Sequence, residues 1–347
     1  MSTCKSMVMS SLRIGLGVVM MVFAAPWALA GEESTAVGPR TLVVALDGSG
    51  QYRSIQSAID DAKKGDTIRI QPGSYREDVK IHNKEQLKLI GAGVDQVTLL
   101  GSDVVGVLYV GKLPYGAADI EISGMTINER GGHALGIFLG RRILLRQIKV
   151  NGMVFGQQVE DVRIEDSVLG GSETTGVQFV DSRAELVGNF IHDNDHGINI
   201  VGRSEVRLER NVITRSLFEA VVVTDRSKAD LVRNTIVKNG GGVALLGTCE
   251  VQARGNIVSL NKIGFLISPS CHVTLDYNAL SNTDTNYARP GVPPEPAPEL
   301  KADSDLTVDA GFIDTSRDDY RLRSDTTLVR IGGFAFLGAL PPVAESN

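Results

Sequence analysis

Five stretches of the sequence share one pattern: AELVGNFI at residues 184–191, VRLERNVI at 206–213, ADLVRNTI at 229–236, VQARGNIV at 251–258 and VTLDYNAL at 273–280. Each has an asparagine at its sixth position, and these asparagines recur every 22 or 23 residues. Apolar residues mostly stand five and three places before the asparagine and two places after it. Repetition at this period indicates a solenoid, in which each turn of the chain stacks on the one before.

The spacing inside each repeat predicts strands. A second apolar pair with a period of two follows the stretches, as in Ile198/Ile200 and Val221/Val223, and this period turns one set of side chains inward. Three such strands per turn, joined at Gly, Asn or Asp corners, predict an all-β fold: a right-handed parallel β-helix of about ten three-strand coils. We interpret the asparagines as a ladder of inward amides, which Ser167 extends upstream.

The N-terminus has the order of an export signal. Residues 1–30 contain Lys5 and Arg13, an apolar run from Ile14 to Ala25, and Ala28-Leu29-Ala30 at the end, which is typical of a cleaved signal peptide. The apolar run is shorter than the roughly 20 residues of a membrane span. We therefore expect a periplasmic or secreted protein with no membrane span after cleavage.

Charge argues against a nucleic acid partner. Cleavage after residue 30 removes two of 35 basic residues and none of 41 acidic ones, which leaves a formal net charge of −8. Nucleic acids are bound mainly by basic surfaces.

Four regions are expected. Residues 1–30 are the signal peptide, and residues 31–288 form the β-helix with an N-terminal capping helix that begins after Ser54. The buried face of this helix is predicted to contain Ile55, Ala58, Ile59 and Ala62. Residues 289–300 contain five prolines and predict an extended linker, and residues 301–347 predict a closing segment that folds back.

Two family resemblances cover about Thr41 to Asn282. Asp47-Gly48-Ser49-Gly50, Gly65-Asp66 and Pro72-Gly73-Ser74-Tyr75-Arg76-Glu77 resemble the opening of pectin-lyase-like β-helix proteins, including pectin methylesterases. The later coils resemble the carbohydrate-binding and sugar-hydrolase repeats of NosD-like periplasmic proteins. These resemblances imply the fold and a relation to carbohydrate, whereas activity depends on the site.

The methylesterase resemblance is limited to one motif. Gly73, Tyr75 and Glu77 match the Gly-x-Tyr-x-Glu of that family. The Gln-Asp-Thr, Asp-Phe-x-Phe-Gly and Gly-Arg-Pro-Trp motifs, which contain its catalytic residues, do not occur in this sequence. We therefore predict that the protein is not a pectin methylesterase.

The most polar corner of the repeat runs from His192 to Gly197. Stacking adds residues of neighbouring coils, so that histidines, carboxylates and an arginine lie within about two coil spacings. Such a set can remove a proton beside a uronate carboxylate while neutralising that carboxylate, which is the task of polyuronate lyases and C5-epimerases. The catalytic candidates are Asp193, Asp195, His196 and Arg215, and the substrate-binding candidates are Gln178, Asn199, Glu219 and His192.

Alternatives to this interpretation remain. The stretch from Asp195 to Val201 is similar to a His-Gly-Ile/Phe stretch of mannuronan C5-epimerases, which implies that His196 contacts sugar, but the Asp-Pro-His signature of those enzymes is absent. A metal site formed by His192, Asp193, Asp195 and His196 is also open, although spacing alone does not define one. Calcium bound through Asp193, Asp195 and Glu219 is a variant of the polysaccharide hypothesis. A plain turn is the other alternative, because Asn and Asp favour corners.

Cys249 and Cys271 occupy the same position in adjacent coils, each seven residues before a ladder asparagine. Their Cα atoms should lie about 5 Å apart, within the range that a disulfide accepts. In an oxidising compartment they could form a disulfide, and the alternative is a stacked pair of free thiols.

Two functions are compatible with these observations. The first is binding, and cleavage or epimerisation, of an acidic polysaccharide at the polar corner. The second is a non-catalytic accessory or scaffold protein of NosD-like type that binds a protein partner. The partner would bind the outward apolar positions of the late coils, which are Val222, Ala244, Leu246 and Leu266. These positions need a cover, either from the closing segment or from a partner.

Overall fold

The computed structural model describes residues 38–101 and 106–344. The chain winds into a parallel β-helix with three faces, so the predicted fold class is confirmed. The predicted signal peptide at residues 1–30 lies outside the described residues. Across the described ranges, none of the helices has the length and apolarity to cross a membrane.

Face 1 is a parallel sheet of eleven strands, one per coil, against about ten coils predicted. The difference arises at the N-terminal end, where the first strand precedes the capping helix and still pairs in register with the second. The strands are Thr41–Val44, Thr67–Ile70, Glu85–Gly91, Ala117–Ser123, Gly140–Arg146, Glu160–Glu165, Arg183–Val187, Glu205–Glu209, Lys228–Val232, Glu250–Arg254 and His272–Asp276.

Faces 2 and 3 complete each coil, and the two long strands Thr126–Phe138 and Lys149–Gln157 contribute to both. Face 2 also contains Gly73–Arg76, Val97–Leu100, Val168–Gly170, Phe190–His192, Val212–Thr214, Thr235–Val237, Ile257–Ser259, Ala279–Ser281 and Leu306–Thr307. Face 3 also contains Val79–Ile81, Leu108–Val110, Thr175–Val180, His196–Val201, Glu219–Val223, Gly241–Leu245, Ile263–Ile267 and Thr285–Arg289.

The predicted asparagine ladder is confirmed at the turn between faces 1 and 2. Asn189, Asn211, Asn234, Asn256 and Asn278 are almost fully buried. Each Nδ2 donates to the Oδ1 of the ladder residue in the next coil at 2.9 or 3.0 Å, and to a backbone oxygen of the preceding coil. Ser167 begins the ladder and Asp305 ends it. The ladder satisfies buried backbone groups at a corner that water does not reach.

The capping helix spans Ile55–Asp61, and its predicted buried face is confirmed. The Glu77 carboxylate accepts the backbone N–H groups of Ile55 and Gln56 at 2.8 and 2.9 Å, and the Ser54 hydroxyl at 2.8 Å. A carboxylate at this position satisfies the free N–H groups of a helix start and complements its dipole. Tyr75 is buried and donates to a backbone oxygen. The Gly-x-Tyr-x-Glu motif therefore builds the cap.

The C-terminal part packs on face 2. Two hairpins, Phe312–Asp314 with Asp319–Leu322 and Val329–Ile331 with Phe334–Phe336, follow the coils. Their apolar side chains share a core with face 2 residues, among them Val212, Val237, Ile257 and Ala279. Upstream, the proline-rich segment contains the strand Glu295–Pro296, antiparallel to Thr285–Arg289, and a 3-10 turn at Pro298–Leu300.

The closing segment does not cover the apolar late-coil positions, as the sequence analysis had allowed, because it packs on a different face of the β-helix. Its hydrophobic contacts are with face 2, whereas the late-coil positions Val222, Leu246 and Leu266 belong to the outer side of face 3 and are partly exposed. Ala244 is buried between its ladder neighbours. A protein partner for these positions stays a prediction.

The outer side of face 1 carries two charge ladders, which the sequence analysis did not identify. In one, Arg183, Glu205, Lys228 and Glu250 stack in register, and in the other Arg163, Glu185, Arg207 and Asp230 do so. Neighbouring members form ion pairs, such as Lys228 Nζ with Glu250 Oε2 at 2.7 Å. The ladders line a shallow groove of about 900 Å³. Because each charge faces an opposite charge one coil away, the coils are held in register as well as joined by backbone hydrogen bonds.

Candidate functional site

The polar corner is a turn with its own internal ladder. Asp193, Arg215, Lys238 and Leu260 each have a φ near +55°, the left-handed conformation that ends one strand and starts the next turn. The residue after each is buried: Asn194, Ser216, Asn239 and Asn261. Asn239 Nδ2 donates to Asn261 Oδ1 at 3.0 Å, as in the first ladder. Part of the polarity that marked this corner in the sequence therefore has a structural role.

The sequence contained a signal for this second ladder. Its asparagines follow those of the first by five residues: Asn194 after Asn189, Asn239 after Asn234 and Asn261 after Asn256. The series is broken after Asn194, because the next coil has a serine at the same position. This serine, Ser216, interrupts the ladder.

The interruption leaves two buried polar atoms unpaired. Within the described part of the chain, Asn194 Nδ2 and Ser216 Oγ make no hydrogen bond, although the Asn194 oxygen accepts the Ser172 N–H at 3.0 Å. An unpaired buried polar atom costs about 1 to 3 kcal/mol unless water reaches it.

We expect the Ser216→Asn variant to be more stable than the parent protein by about 1 kcal/mol, because the new amide can accept from Asn194 and complete the ladder. Chemical denaturation at equilibrium measures the change. Ser259→Asn, which places the same amide at a buried serine outside either ladder, is the control and should destabilise the protein. Equal or lower stability of Ser216→Asn would contradict the ladder interpretation.

The predicted site residues separate into two groups. The first, the Arg215 cluster, consists of His192, Asp193, Arg215 and Asp318. Arg215 Nε and Nη2 donate to the two carboxylate oxygens of Asp193 at 2.7 and 2.8 Å. The remaining Nη1 lies 2.5 Å from Asp318 Oδ1, which makes an ion pair, but it is buried and not aligned for a hydrogen bond. His192 Nδ1 lies 2.7 Å from Asp193 Oδ2.

This pairing limits what Asp193 can do. The hydrogen bonds from Arg215 lower the pKa of Asp193 to about 2, with a smaller contribution from His192. The same contact raises the pKa of Arg215. A carboxylate with so low a pKa is a weak base near neutral pH. Asp193 holds the arginine side chain in place through these two hydrogen bonds, and its catalytic role stays a prediction.

The second group, the His196 cluster, lies at the start of face 3 and consists of Thr175, His196, Asn199, Phe218 and Glu219. The His196 ring stacks on Phe218 with a centroid distance of 5.1 Å. Its Nδ1 lies 3.3 Å from Glu219 Oε2 but is not aligned for a hydrogen bond. Asn199 Nδ2 donates to Thr175 Oγ1 at 3.0 Å, whereas Asn199 Oδ1 is buried and unpaired within the described residues.

Asp195 lies in the turn between the two groups. Its carboxylate has no hydrogen-bond or ion-pair partner among the described residues. Gln178 stacks directly beside Asn199 on the outer side of face 3, as predicted from the repeat. Asp195 and His196 are therefore the acid–base candidates that remain available, with Gln178 and Asn199 beside them.

Two residues at the site, Asp318 and Tyr320, belong to the segment after the repeat, and the sequence analysis did not identify them. Asp318 ends the turn of the hairpin Phe312–Asp314 with Asp319–Leu322, and Tyr320 in the same hairpin donates to Asp318 Oδ1 at 2.9 Å. Both lie more than 100 residues after Arg215, and no periodicity in the sequence connects them to it. Thr175, also missed, occupies the repeat position of His196 one coil earlier, so the register could have shown it.

No metal-binding group is assembled here. Across residues 38–101 and 106–344, no three or more His, Cys, Asp or Glu side chains are placed to hold a metal ion. The three residues considered for calcium do not converge. Asp193 is paired with Arg215, Glu219 lies beside His196, and Asp195 has no partner among the described residues.

The structure contains Cys249 and Cys271 as free thiols, so it does not show the disulfide considered from the sequence. The strands that directly follow the two cysteines, Glu250–Arg254 and His272–Asp276, are paired one coil apart, and the His272 N–H donates to the Cys249 backbone oxygen. Cys249 is fully buried in the core, and this burial raises its pKa, so the thiolate needed for disulfide formation is disfavoured.

Comparison with known proteins supports the fold. A family described as "Right handed beta helix region" matches residues 115–283, and one described as "Pectinesterase" matches residues 41–127. The structure of pectate lyase Pel9A superposes with a TM-score of 0.51 and 11% identity, covering 88% of this chain and 97% of that chain. The complex of XylC with xylose gives a TM-score of 0.56 and 10% identity over 70% of each chain.

Two curated relatives match a short part of the chain. Pectinesterase 1 of Citrus sinensis is 37% identical over 75 residues, which are 20% of this chain and 13% of that protein. A probable pectinesterase/pectinesterase inhibitor 6 of Arabidopsis thaliana is 37% identical over 78 residues, 20% of this chain and 14% of that protein. The chain thus matches about one seventh of the length of these relatives.

Proposed function

The chain folds as a pectin-lyase-like right-handed parallel β-helix, and from this premise we propose that it binds an acidic polysaccharide at the corner between faces 2 and 3 and moves a proton at a uronate carbon there. The protein acts after export, in the periplasm or outside the cell, in keeping with the signal peptide predicted at residues 1–30.

One observation carries the proposal: the His196 cluster keeps polar atoms without partners. His196 Nδ1 and Asn199 Oδ1 are both shielded from solvent and unpaired within the described residues. The carboxylate of Asp195, which precedes His196, is partly exposed and has no partner among the described residues either. Unpaired buried groups lower stability, and they concentrate where a ligand supplies the missing partner. Sugar hydroxyls donate and accept hydrogen bonds and are suited to this role.

The chemistry assigned to the corner is proton abstraction. Asp195 or His196 accepts the proton from C5 of a uronate, and Arg215 neutralises the adjacent carboxylate, which stabilises the negative charge that develops. For the lyase outcome, the C4–O bond then breaks, the leaving oxygen takes up a proton from solvent, and the C4–C5 double bond of an unsaturated uronate forms. Return of a proton to the opposite face of C5 gives the epimer.

The first experiment incubates the protein without residues 1–30 with polygalacturonate, mannuronan and a neutral xylan, with and without calcium. Absorbance of unsaturated uronates reports lyase activity, and product NMR reports inversion at C5. We expect a product from an acidic polymer and none from xylan. Neither binding nor a product with the acidic polymers would refute the proposal and favour the non-catalytic accessory function of NosD-like type.

Ester hydrolysis is the second candidate, because the pectinesterase match covers residues 41–127. The motif residues in that region, Tyr75 and Glu77, are used to pack the core and cap the helix. Methyl-esterified pectin in the same assay, followed by methanol release, distinguishes the two. We expect no methanol above the level of an Asp195→Asn, His196→Gln double variant.

A further inference from the structure

We propose that Arg215 is a carboxylate-binding subsite occupied by the protein's own Asp318, and that the uronate carboxylate of the ligand takes the place of Asp318. This inference rests on the function proposed above and assigns the C-terminal segment a role in it. Asp318 is then a competitor of the ligand, which sets how tightly acidic sugars bind.

The guanidinium group of Arg215 is held in a position from which it can bind a carboxylate. Two of its nitrogens, Nε and Nη2, are fixed by Asp193. Its guanidinium carbon lies 6.0 Å from the centre of the Phe190 ring, on the strand that leads into the corner. Only Nη1 points to a group outside the coils. A guanidinium whose position is fixed on one side loses little conformational freedom when it binds a second carboxylate on the other.

Asp318 reaches Nη1 because the hairpin behind it is anchored. Tyr320 is 1% exposed, and its hydroxyl bonds both Thr214 Oγ1 at 2.8 Å and Asp318 Oδ1 at 2.9 Å. Thr214 belongs to the same face 2 strand that precedes Arg215. The contact is therefore built by a buried polar pair and is not a chance approach of a loose tail.

Asp318 itself can still leave. Its side chain is 38% exposed and lies at the end of the hairpin turn, so a rotation about its side-chain bonds releases Nη1 without unpacking the hairpin. A partly exposed ion pair contributes little to stability. A sugar that gains hydrogen bonds from the His196 cluster at the same time can therefore replace it.

Local charge favours replacement over addition. Arg215 already has two carboxylates, Asp193 and Asp318, for one positive charge. A third carboxylate beside them would be repelled by the net negative charge, so it would bind more weakly. When the ligand displaces Asp318, its own carboxylate keeps the neutralising contact and the aspartate moves into solvent.

The test measures binding of tetragalacturonate and tetramannuronate by titration calorimetry to the protein without residues 1–30, to Asp318→Asn and to Asp325→Asn. Asp325 is 77% exposed in the same C-terminal segment, so the control removes the same charge away from Arg215. We expect Asp318→Asn to bind one of the tetramers about three- to fivefold more tightly than the parent protein, and Asp325→Asn to bind unchanged.

Equal or weaker binding by Asp318→Asn, with binding by the parent intact, overturns this inference and leaves the proposed function standing. Absence of binding in all three proteins overturns both. Tyr320→Phe, which removes the hydroxyl that holds Asp318, is the second variant if Asp318→Asn does not fold, and we expect a gain in affinity of the same sign. Thermal unfolding of each variant shows whether the fold is retained.

Discussion

We expect the Asn234→Ala variant to unfold with a free energy lower than that of the parent protein by about 3 to 4 kcal/mol. Asn234 is fully buried in the middle of the first ladder. Its Nδ2 donates to Leu208 O and Asn256 Oδ1, and its Oδ1 accepts two N–H groups of Asn211. Alanine removes all four of these hydrogen bonds in a corner that water does not reach, although Asn256 Oδ1 still accepts the backbone N–H of residue 234 and Asn211 Nδ2 still donates to Leu186 O.

Equilibrium denaturation with urea measures this loss. Gln252→Ala removes an exposed amide from face 1 and is the matched control, for which we expect a change below about 0.5 kcal/mol. A ladder variant that is as stable as this control would show that the amides are not needed to satisfy the corner. The change should not alter the site, because Asn234 lies at the other turn, between faces 1 and 2.

The second large effect concerns turnover. If the corner moves a proton, Asp195→Asn and His196→Gln should each lower kcat at least about a hundredfold, which is the usual contribution of an acid or base. Both substitutions keep size and polarity, so binding through Gln178 and Asn199 should change much less. The expected signature is a fall in kcat with KM within a few-fold of the parent value.

Asp284→Asn is the matched control, because Asp284 is an exposed aspartate in the turn before the last strand of face 3. Its turnover should equal that of the parent. Unchanged turnover in the Asp195→Asn, His196→Gln double variant would exclude these residues from catalysis. It would also direct attention to the groove over the charge ladders on face 1.

The sequence predicted the fold because one physical requirement recurs in every coil. Each strand turns its apolar residues into the core, and each coil needs a buried amide at the same corner, so Val206, Leu208 and Asn211 have counterparts 22 or 23 residues away. The number of coils was less accessible, since the first strand, Thr41–Val44, precedes the capping helix and has no ladder asparagine after it, although it pairs in register with Thr67–Ile70.

The site was predictable only in part. Stacking placed Gln178 beside Asn199 and His196 beside Glu219, because register determines such neighbours. Periodicity places Asp193 and Arg215 at the same turn position of adjacent coils, 22 residues apart. It could not show that two hydrogen bonds would join them, because the direction of a side chain at a left-handed turn residue depends on local geometry. Nor could it show Asp318, because a segment outside the repeat has no register with the coils.

The charge ladders have a consequence for how such a chain can grow or shrink. Backbone and core repeat with every coil, but the sign of the charge repeats only with every second coil. Deleting one coil, from Glu205 to Ser227, would set Arg183 beside Lys228 and Glu185 beside Asp230, with like charges in both columns. Deleting two, from Glu205 to Cys249, would set Arg183 beside Glu250. The alternation of opposite charges is therefore kept only when an even number of coils is lost or gained. Duplications that persist in this part of the molecule should add coils two at a time.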